Sequence, residues 1–152
     1  MIVYRITKSA HTRDLSGSGP RLYGGRWNPK GVSIIYTSES RALAALEYYV
    51  HLSRTFILPG LNVVSIEIPD SVSKNEIAVS DLPKKWRTYP APPELAAIGA
   101  EWIRSRESLA LYVPSAVMPP ECNILINPMH SEMEKVQIIM VEEFVFDQRL
   151  IS

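Results

Sequence analysis

The sequence predicts an α+β fold: a single compact domain with a mixed β-sheet core and flanking helices. Three observations lead there. The chain has 152 residues, a usual size for one domain, and folding at this length buries roughly 68–70% of the unfolded surface. Short β-branched and aromatic runs outnumber helical segments, of which only two show a clear 3.6-residue period. Strands and helices do not alternate regularly, which disfavours a doubly wound parallel sheet.

Residues 2–7 (IVYRIT) form the first predicted strand, leading into a polar loop over 9–21. Five of the seven glycines lie between Gly17 and Gly31, so backbone freedom is concentrated in one stretch. A buried strand is predicted over 32–37. Thr37 or Ser38 can then cap a helix over 39–53, with Glu39 in its first turn. Ala42, Leu43, Leu46, Val50 and Ser53 follow the i, i+3, i+4, i+7 spacing and form its predicted inward face, with Glu47 at the edge of that stripe. Further strands are predicted at 61–68, closed by Pro69, and at 76–79. Pro92 and Pro93 can open a second helix, with Leu95, Ile98, Gly99 and Trp102 facing inward. Segments 109–113, 123–127 and 136–146 complete a largely β second half, although 134–140 fits a strand or a helix equally.

Lysine plus arginine (16) equals aspartate plus glutamate (16), so no basic field makes duplex DNA or an anionic membrane the default partner. A ligand with a few negative charges would need a local arginine cluster. Cys122 is the single cysteine and cannot form an internal disulfide; no leader-like segment opens the chain, and no apolar run approaches the ~20 residues of a membrane span. A cytoplasmic protein is the expectation.

The glycine-rich stretch lacks both nucleotide fingerprints. Leu22 occupies the third-glycine position of G-x-G-x-x-G after Gly17-Ser18-Gly19, and no G-K-[ST] follows at P-loop spacing. Gly24-Gly25-Arg26-Trp27 is then either a turn into a strand or a ligand loop. For the second, the Arg26 guanidinium suits phosphate oxygens, Trp27 offers a stacking face, and Gly25 lets backbone amides approach an anion. Glu47 and His51 are an i, i+4 pair that reads equally as a surface contact; with no third ligand at a recognisable spacing, they do not make a metal site. At the edge of an apolar face, however, Glu47 is placed to act on a developing cation in a half-dry cleft. Tyr36 ends the predicted strand with its hydroxyl at the core rim. Ser115 reads as a turn residue without a G-x-S-x-G elbow, and Cys122 as a small buried residue.

Taken together, Tyr4-Arg5, "GGRWNPKG", "IIYTSESRALAALEYYVH", "PSAVMPPECNILINP" and the closing "FVFDQRL" resemble the RES-domain toxins, a family named for its arginine, glutamate and serine. The resemblance runs over nearly the whole chain, so 1–152 is read as one RES domain. It maps the three residues to Arg26, Glu47 and Ser115, with Tyr36 as the aromatic partner; Arg5 and Asn127 are further substrate-binding carry-overs. Two stretches depart from the family pattern: Met129-His130-Ser131, where many relatives show a histidine-proline pair, and the segment 86–93.

The resemblance implies an ADP-ribosyltransferase-like fold and a bacterial type II toxin that attacks NAD, paired with an Xre-type helix-turn-helix antitoxin in an oligomeric complex. NAD is then the substrate, with no metal or other cofactor, no direct nucleic acid binding and no membrane partner. Arg26, Tyr36, Glu47 and Ser115 are the expected catalytic set. Arg5, Gly25, Arg26, Trp27 and Asn127 are the expected NAD contacts. Cleavage of the nicotinamide–ribose bond by water or phosphate is the expected reaction. The alternatives are mono-ADP-ribosylation of a protein and a non-catalytic nucleotide- or protein-binding module.

Overall fold

The computed structural model describes residues 1–52 and 59–150. Its centre is a seven-stranded mixed sheet of β1 (Ile2–Lys8), β2 (Ile35–Ser38), β3 (Leu61–Glu67), β4 (Lys74–Glu76), β5 (Ala110–Pro114), β6 (Cys122–Ile126) and β7 (Gln137–Phe144). The order across the sheet is β4-β5-β6-β2-β1-β3-β7. Among the described strands β4 and β5 run parallel, and the other pairs are antiparallel. Among the described residues three α-helices flank it: α1 (Ser18–Tyr23), α2 (Arg41–Tyr49) and α3 (Pro93–Ser105). The α+β class is therefore correct, while α1 was not anticipated within a loop rich in glycine.

Registry sorts the side chains onto two faces, since directly opposed residues in antiparallel strands share a face. Val3, Ile35, Val64, Ile66, Ala110, Ile124 and Ile126 form one core layer, against which Leu15 packs from the loop after β1. The opposite face carries Ile6 and Val63 beneath α2. It also carries Leu111, Val113 and Leu125, packed with Trp27, Trp86, Leu95, Trp102 and Ile103. Burial on both faces explains the continuous apolar runs of β3 and β6, which alternation alone does not describe.

The second helix starts later than the sequence suggests. Ser40, rather than Thr37 or Ser38, is its N-cap: its extended backbone and side-chain oxygen, which accepts from the Leu43 amide at 3.1 Å, meet the requirement for an unpaired first-turn donor. Thr37 and Ser38 belong to β2, with Thr37 Oγ1 donating to the Ile124 carbonyl. Glu39 lies outside the helix and accepts from the Cys122 amide. Leu43 and Ala44 are the buried residues of α2, whereas Ala42 and Val50 are exposed, and Ser53 lies outside the described residues. Glu47 stands four residues after Leu43 and three after Ala44, and is drawn toward the sheet as a half-buried group.

The helix from Pro93 buries Leu95, Gly99, Trp102 and Ile103. At Gly99 the Trp27 carbonyl oxygen lies 1.6 Å from where a Cβ would sit. This close approach docks the Arg26–Trp27 turn against the helix. The predicted 76–79 strand is displaced to β4, and the ambiguous 134–140 segment divides into a short 3-10 turn, Ser131–Lys135, followed by β7.

Candidate active site

The site lies on the face of the sheet covered by α2 and α3. Tyr36, Ser38, Asn123, Val113 and Ser115 are brought toward that face by β2, β6 and the end of β5, because Ser38 opposes Asn123 and Asn123 opposes Val113. The α2 helix then brings Glu47 onto them. Ser115 Oγ donates to Glu47 Oε1 at 2.7 Å, and Asn123 Nδ2 donates to the same oxygen at 2.8 Å. Asn123 Oδ1 in turn accepts from Ser38 Oγ at 2.7 Å, which fixes which end of the amide faces the carboxylate.

Ser115 is fully buried. Its Oγ accepts from the amides of Val117 (3.2 Å) and Met118 (3.0 Å), so both lone pairs are occupied and the proton is directed to Glu47. Such a hydroxyl is suited to orienting a carboxylate rather than to nucleophilic attack. No serine-hydrolase arrangement surrounds it.

Arg26 comes from the turn closed by the Gly25 and Asn28 bridge. Its Nη1 donates to the Trp86 carbonyl at 2.7 Å and its Nη2 to the Thr88 carbonyl at 3.2 Å. Partial burial lowers its pKa, and the nearby Glu47 carboxylate opposes that shift. Two of the five guanidinium donors can therefore hold the 86–90 segment while the others point elsewhere. Arg87 adds a second tie between that segment and the Ser115 loop, donating from Nε to the Ala116 carbonyl at 2.9 Å.

Tyr36 positions the turn. Its hydroxyl accepts from the Trp27 amide at 3.0 Å and donates to Asn28 Oδ1 at 2.6 Å. Burial raises its pKa well above the ordinary tyrosine value. The place of Tyr36 in the expected catalytic set is thus narrowed to positioning: both of these bonds serve the protein. Gly25 is explained by the same contact, since a Cβ there would lie 2.7 Å from the Tyr36 hydroxyl oxygen. Its lack of a side chain accommodates tyrosine at this position.

Three other expected contacts lie elsewhere. Trp27 is 2% exposed in the core, so its indole offers no stacking face. Arg5 opposes Val64 and shares the other face of the sheet from Glu47. There its Nη2 donates to the carbonyls of His11 and Asp14, anchoring the loop after β1; burial lowers its pKa and the Asp14 charge opposes this. Asn127 is beyond the far end of β6 from Asn123, where its Nδ2 donates to the Ile103 carbonyl and its Oδ1 accepts from the Met129 amide. Cys122, expected to be buried, is half-buried, and burial with the charges of Glu39 and Glu76 raises its pKa, so it is not an activated thiol.

The arrangement missed in the sequence is Asn123 with Ser38. Its only signal was indirect: polar residues recur two positions from apolar ones on one face of β2 and β6. Among the described residues no group of three His, Cys, Asp or Glu could hold a metal, and no helix is long and apolar enough to cross a membrane.

One face of the sheet thus carries a half-buried carboxylate held by serine and asparagine, with an arginine nearby. The chain matches the RES domain over residues 2–147 and belongs to that family. It is 39% identical to the Prs ADP-ribosylating toxin of Sphingobium sp. (strain YBL2), covering 97% of this chain and 95% of that one. It is also 39% identical to Toxin Res of Yersinia enterocolitica, over 99% of both chains. In three dimensions it is similar to a chain of the M. tuberculosis MbcT–MbcA toxin–antitoxin complex, with a TM-score of 0.74 and 18% identity, over 95% of this chain and 84% of that one.

Proposed function

We propose that this RES-domain toxin is the toxin of a bacterial toxin–antitoxin pair and cleaves NAD at the nicotinamide–ribose bond. The supporting observation is the Glu47 carboxylate, which receives hydrogen bonds from Ser115 and Asn123 at one oxygen and stands close enough for its charge to act on Arg26. Breaking an N-glycosidic bond develops an oxocarbenium-like cation on the ribose, and a fixed carboxylate in a partly desolvated cleft stabilises that charge more than it stabilises the ground state. Glu47 therefore meets the ribose and its developing cation. Arg26 keeps the 86–90 segment in place and presents its remaining donors to the pyrophosphate. Ser115 and Asn123 orient Glu47, and Tyr36 orients the turn that carries Arg26.

Water as acceptor makes the protein a glycohydrolase, and phosphate makes it a phosphorylase. Transfer to a protein is the second reading; the ADP-ribosylating relative carries it by name. An Xre-type helix-turn-helix antitoxin is the proposed partner, supported by the likeness to a toxin taken from a toxin–antitoxin complex. The location in which it acts is proposed to be the cytoplasm, where NAD is at hand.

Purified protein free of antitoxin, mixed with NAD, is expected to release nicotinamide. Absence of release sinks the cleavage reading. Product identification with and without phosphate separates hydrolysis from phosphorolysis, while a tagged NAD analogue that labels protein, with little free ADP-ribose, supports transfer instead.

A further inference from the structure

The segment FVFDQRL over 144–150 supplies none of the side chains that hold Glu47, yet it packs on the helix that carries it. At 3.6 residues per turn, Tyr48 and Tyr49 lie about 100° and about 200° round α2 from Glu47. Arg41 and Ala45 fall on the same flank as the two tyrosines. Glu47 therefore meets Ser115 and Asn123 on one side of the helix, while the other flank meets β7 and the residues after it. Phe146 is the centre of that second contact. It is 6% exposed although it lies beyond the last β3–β7 pair, Leu61 with Phe144. Its ring centroid stands 6.3 Å from that of Tyr48, 5.9 Å from Tyr49 and 4.8 Å from Phe144, the last an edge contact at 84°. Asp147 then turns the chain: its Oδ1 accepts from the Arg149 amide and Nε, its Oδ2 from Arg149 Nη2, and its carbonyl from the Leu150 amide. The turn delivers the Leu150 carbonyl to the Tyr49 hydroxyl, which donates to it at 2.6 Å. At the start of α2, Arg41 lies over the Tyr4 ring at 4.6 Å and pairs with Glu142 of β7 at 3.5 Å.

We propose that residues 144–150 form a clasp that sets the position of the Glu47 carboxylate through the far flank of α2, with Phe146 as its principal positioning residue. The clasp rests on the reading of Glu47 as the group that acts on the developing cation. A helix of nine residues has little stability of its own, and its placement is decided by what it packs against. So short an element moves as one body, so a shift of the tyrosine flank is carried to Glu47. The bonds from Ser115 and Asn123 come from β6 and the end of β5, so the sheet holds the carboxylate from one side and the clasp holds its helix from the other. Position matters here because a displacement of about 1 Å, caused far from the reacting atoms, can cost about 10²-fold in turnover.

The test places Phe146→Leu and Tyr49→Phe in the full chain without antitoxin, each alone and each combined with Glu47→Gln. Phe146→Leu keeps an apolar side chain but loses the ring contacts, and it is expected to lower kcat for nicotinamide release about 10-fold with KM within about 3-fold. In the Glu47→Gln background the same substitution should change kcat by less than about 2-fold, because no charge is left to misplace. A loss of folded protein would lower both backgrounds alike, so equal losses overturn the clasp, as does an unchanged kcat. If Phe146→Leu shows no folded thermal transition, Tyr49→Phe decides by the same comparison: it removes one hydroxyl and keeps the ring, with an expected loss of about 3-fold. If the wild type releases no nicotinamide, the cleavage reading fails by itself, and the clasp is then read by NMR in the variant that keeps its fold. The Asn123 side-chain amide proton that is donated to the Glu47 carboxylate should move towards its position in Glu47→Gln, where the acceptor carries no charge. An unmoved resonance overturns the clasp.

Discussion

On the floor of the cleft Glu47 is held from two directions, by Ser115 Oγ and Asn123 Nδ2; at its rim Tyr89 is 80% exposed and meets the edge of His51. The floor residues come from α2, β6 and the end of β5, and they lie 68 and 76 positions apart in sequence. The rim residues lie in the turn after α2 and on a loop. A fixed floor suits a charge that must already be oriented when a cation develops, since reorganisation at that moment would cost much of the stabilisation. A loose rim suits entry and exit of a ligand. Arg26 stands between the two, bonded to loop carbonyls and sensing the Glu47 charge.

The largest expected effect comes from the floor. Glu47→Gln keeps the shape and one acceptor for Ser115 but removes the charge, so nicotinamide release should fall by about 10²-fold or more with KM little changed. Circular dichroism and thermal unfolding should match the wild type closely. Turnover near that of the wild type would remove Glu47 from the reacting centre and dissolve the distinction between floor and rim.

Arg26→Ala should act next in size and in a different way. It deletes the cation proposed for the pyrophosphate and also the two bonds to Trp86 and Thr88. Calorimetry should show NAD binding weakened about 10-fold or more, with a larger share of the loss in binding than in kcat. Arg26→Lys sharpens this, because an ammonium keeps the charge but cannot bridge two carbonyls in the same planar fork. Lysine that restores binding in full would reduce the arginine to a simple charge.

How much of this was legible in the sequence depended on what kind of signal each residue carried. Leu95, Gly99 and Trp102 were readable because α3 is long and follows one period. The face of α2 was harder: in a nine-residue helix with alanines on two sides, Ala42 and Val50 satisfy the spacing as well as Leu43 does, and only contact with the sheet decides. Arg5 could not be assigned to a face at all. Both Val3 and Ile6 in β1 are buried, so alternation, which normally tells inside from outside, is erased by the coverage of both faces. Its resemblance to a family position pointed to the site, yet registry with Val64 sets it on the opposite side. Trp27 was misjudged for a related reason: a tryptophan beside two glycines reads as accessible, but Gly99 lets α3 close upon its backbone. Asn123 and Ser38 carried no local signal, because their partnership with each other and with Glu47 exists only once β2, β6 and α2 have met.

Tyr36→Phe is the gentlest test, and it reports on how the turn between floor and rim is held. The hydroxyl joins the Trp27 amide to Asn28 Oδ1, and its loss leaves both without that partner in a half-buried place, a cost of about 1–3 kcal/mol. The pH dependence of that loss has a definite sign. Burial raises the Tyr36 pKa above its ordinary value of 10.0, so the unfolded chain releases this proton first as pH rises. Between the unfolded and the folded pKa the folded state holds more protons than the unfolded one, and stability from this group declines with increasing pH. The contribution is complete below pH 10 and lost progressively above it. Denaturant unfolding of the wild type and of Tyr36→Phe from pH 7 to 11 should therefore show a difference that is constant up to about pH 9 and then narrows, as the wild type alone pays this alkaline penalty. A difference that stays constant to pH 11 would mean that the hydroxyl ionises as freely in the folded protein as in the unfolded chain, and the turn carrying Arg26 would then have to owe its position to Asn28, whose Nδ2 donates to the carbonyls of Pro20 and Val32.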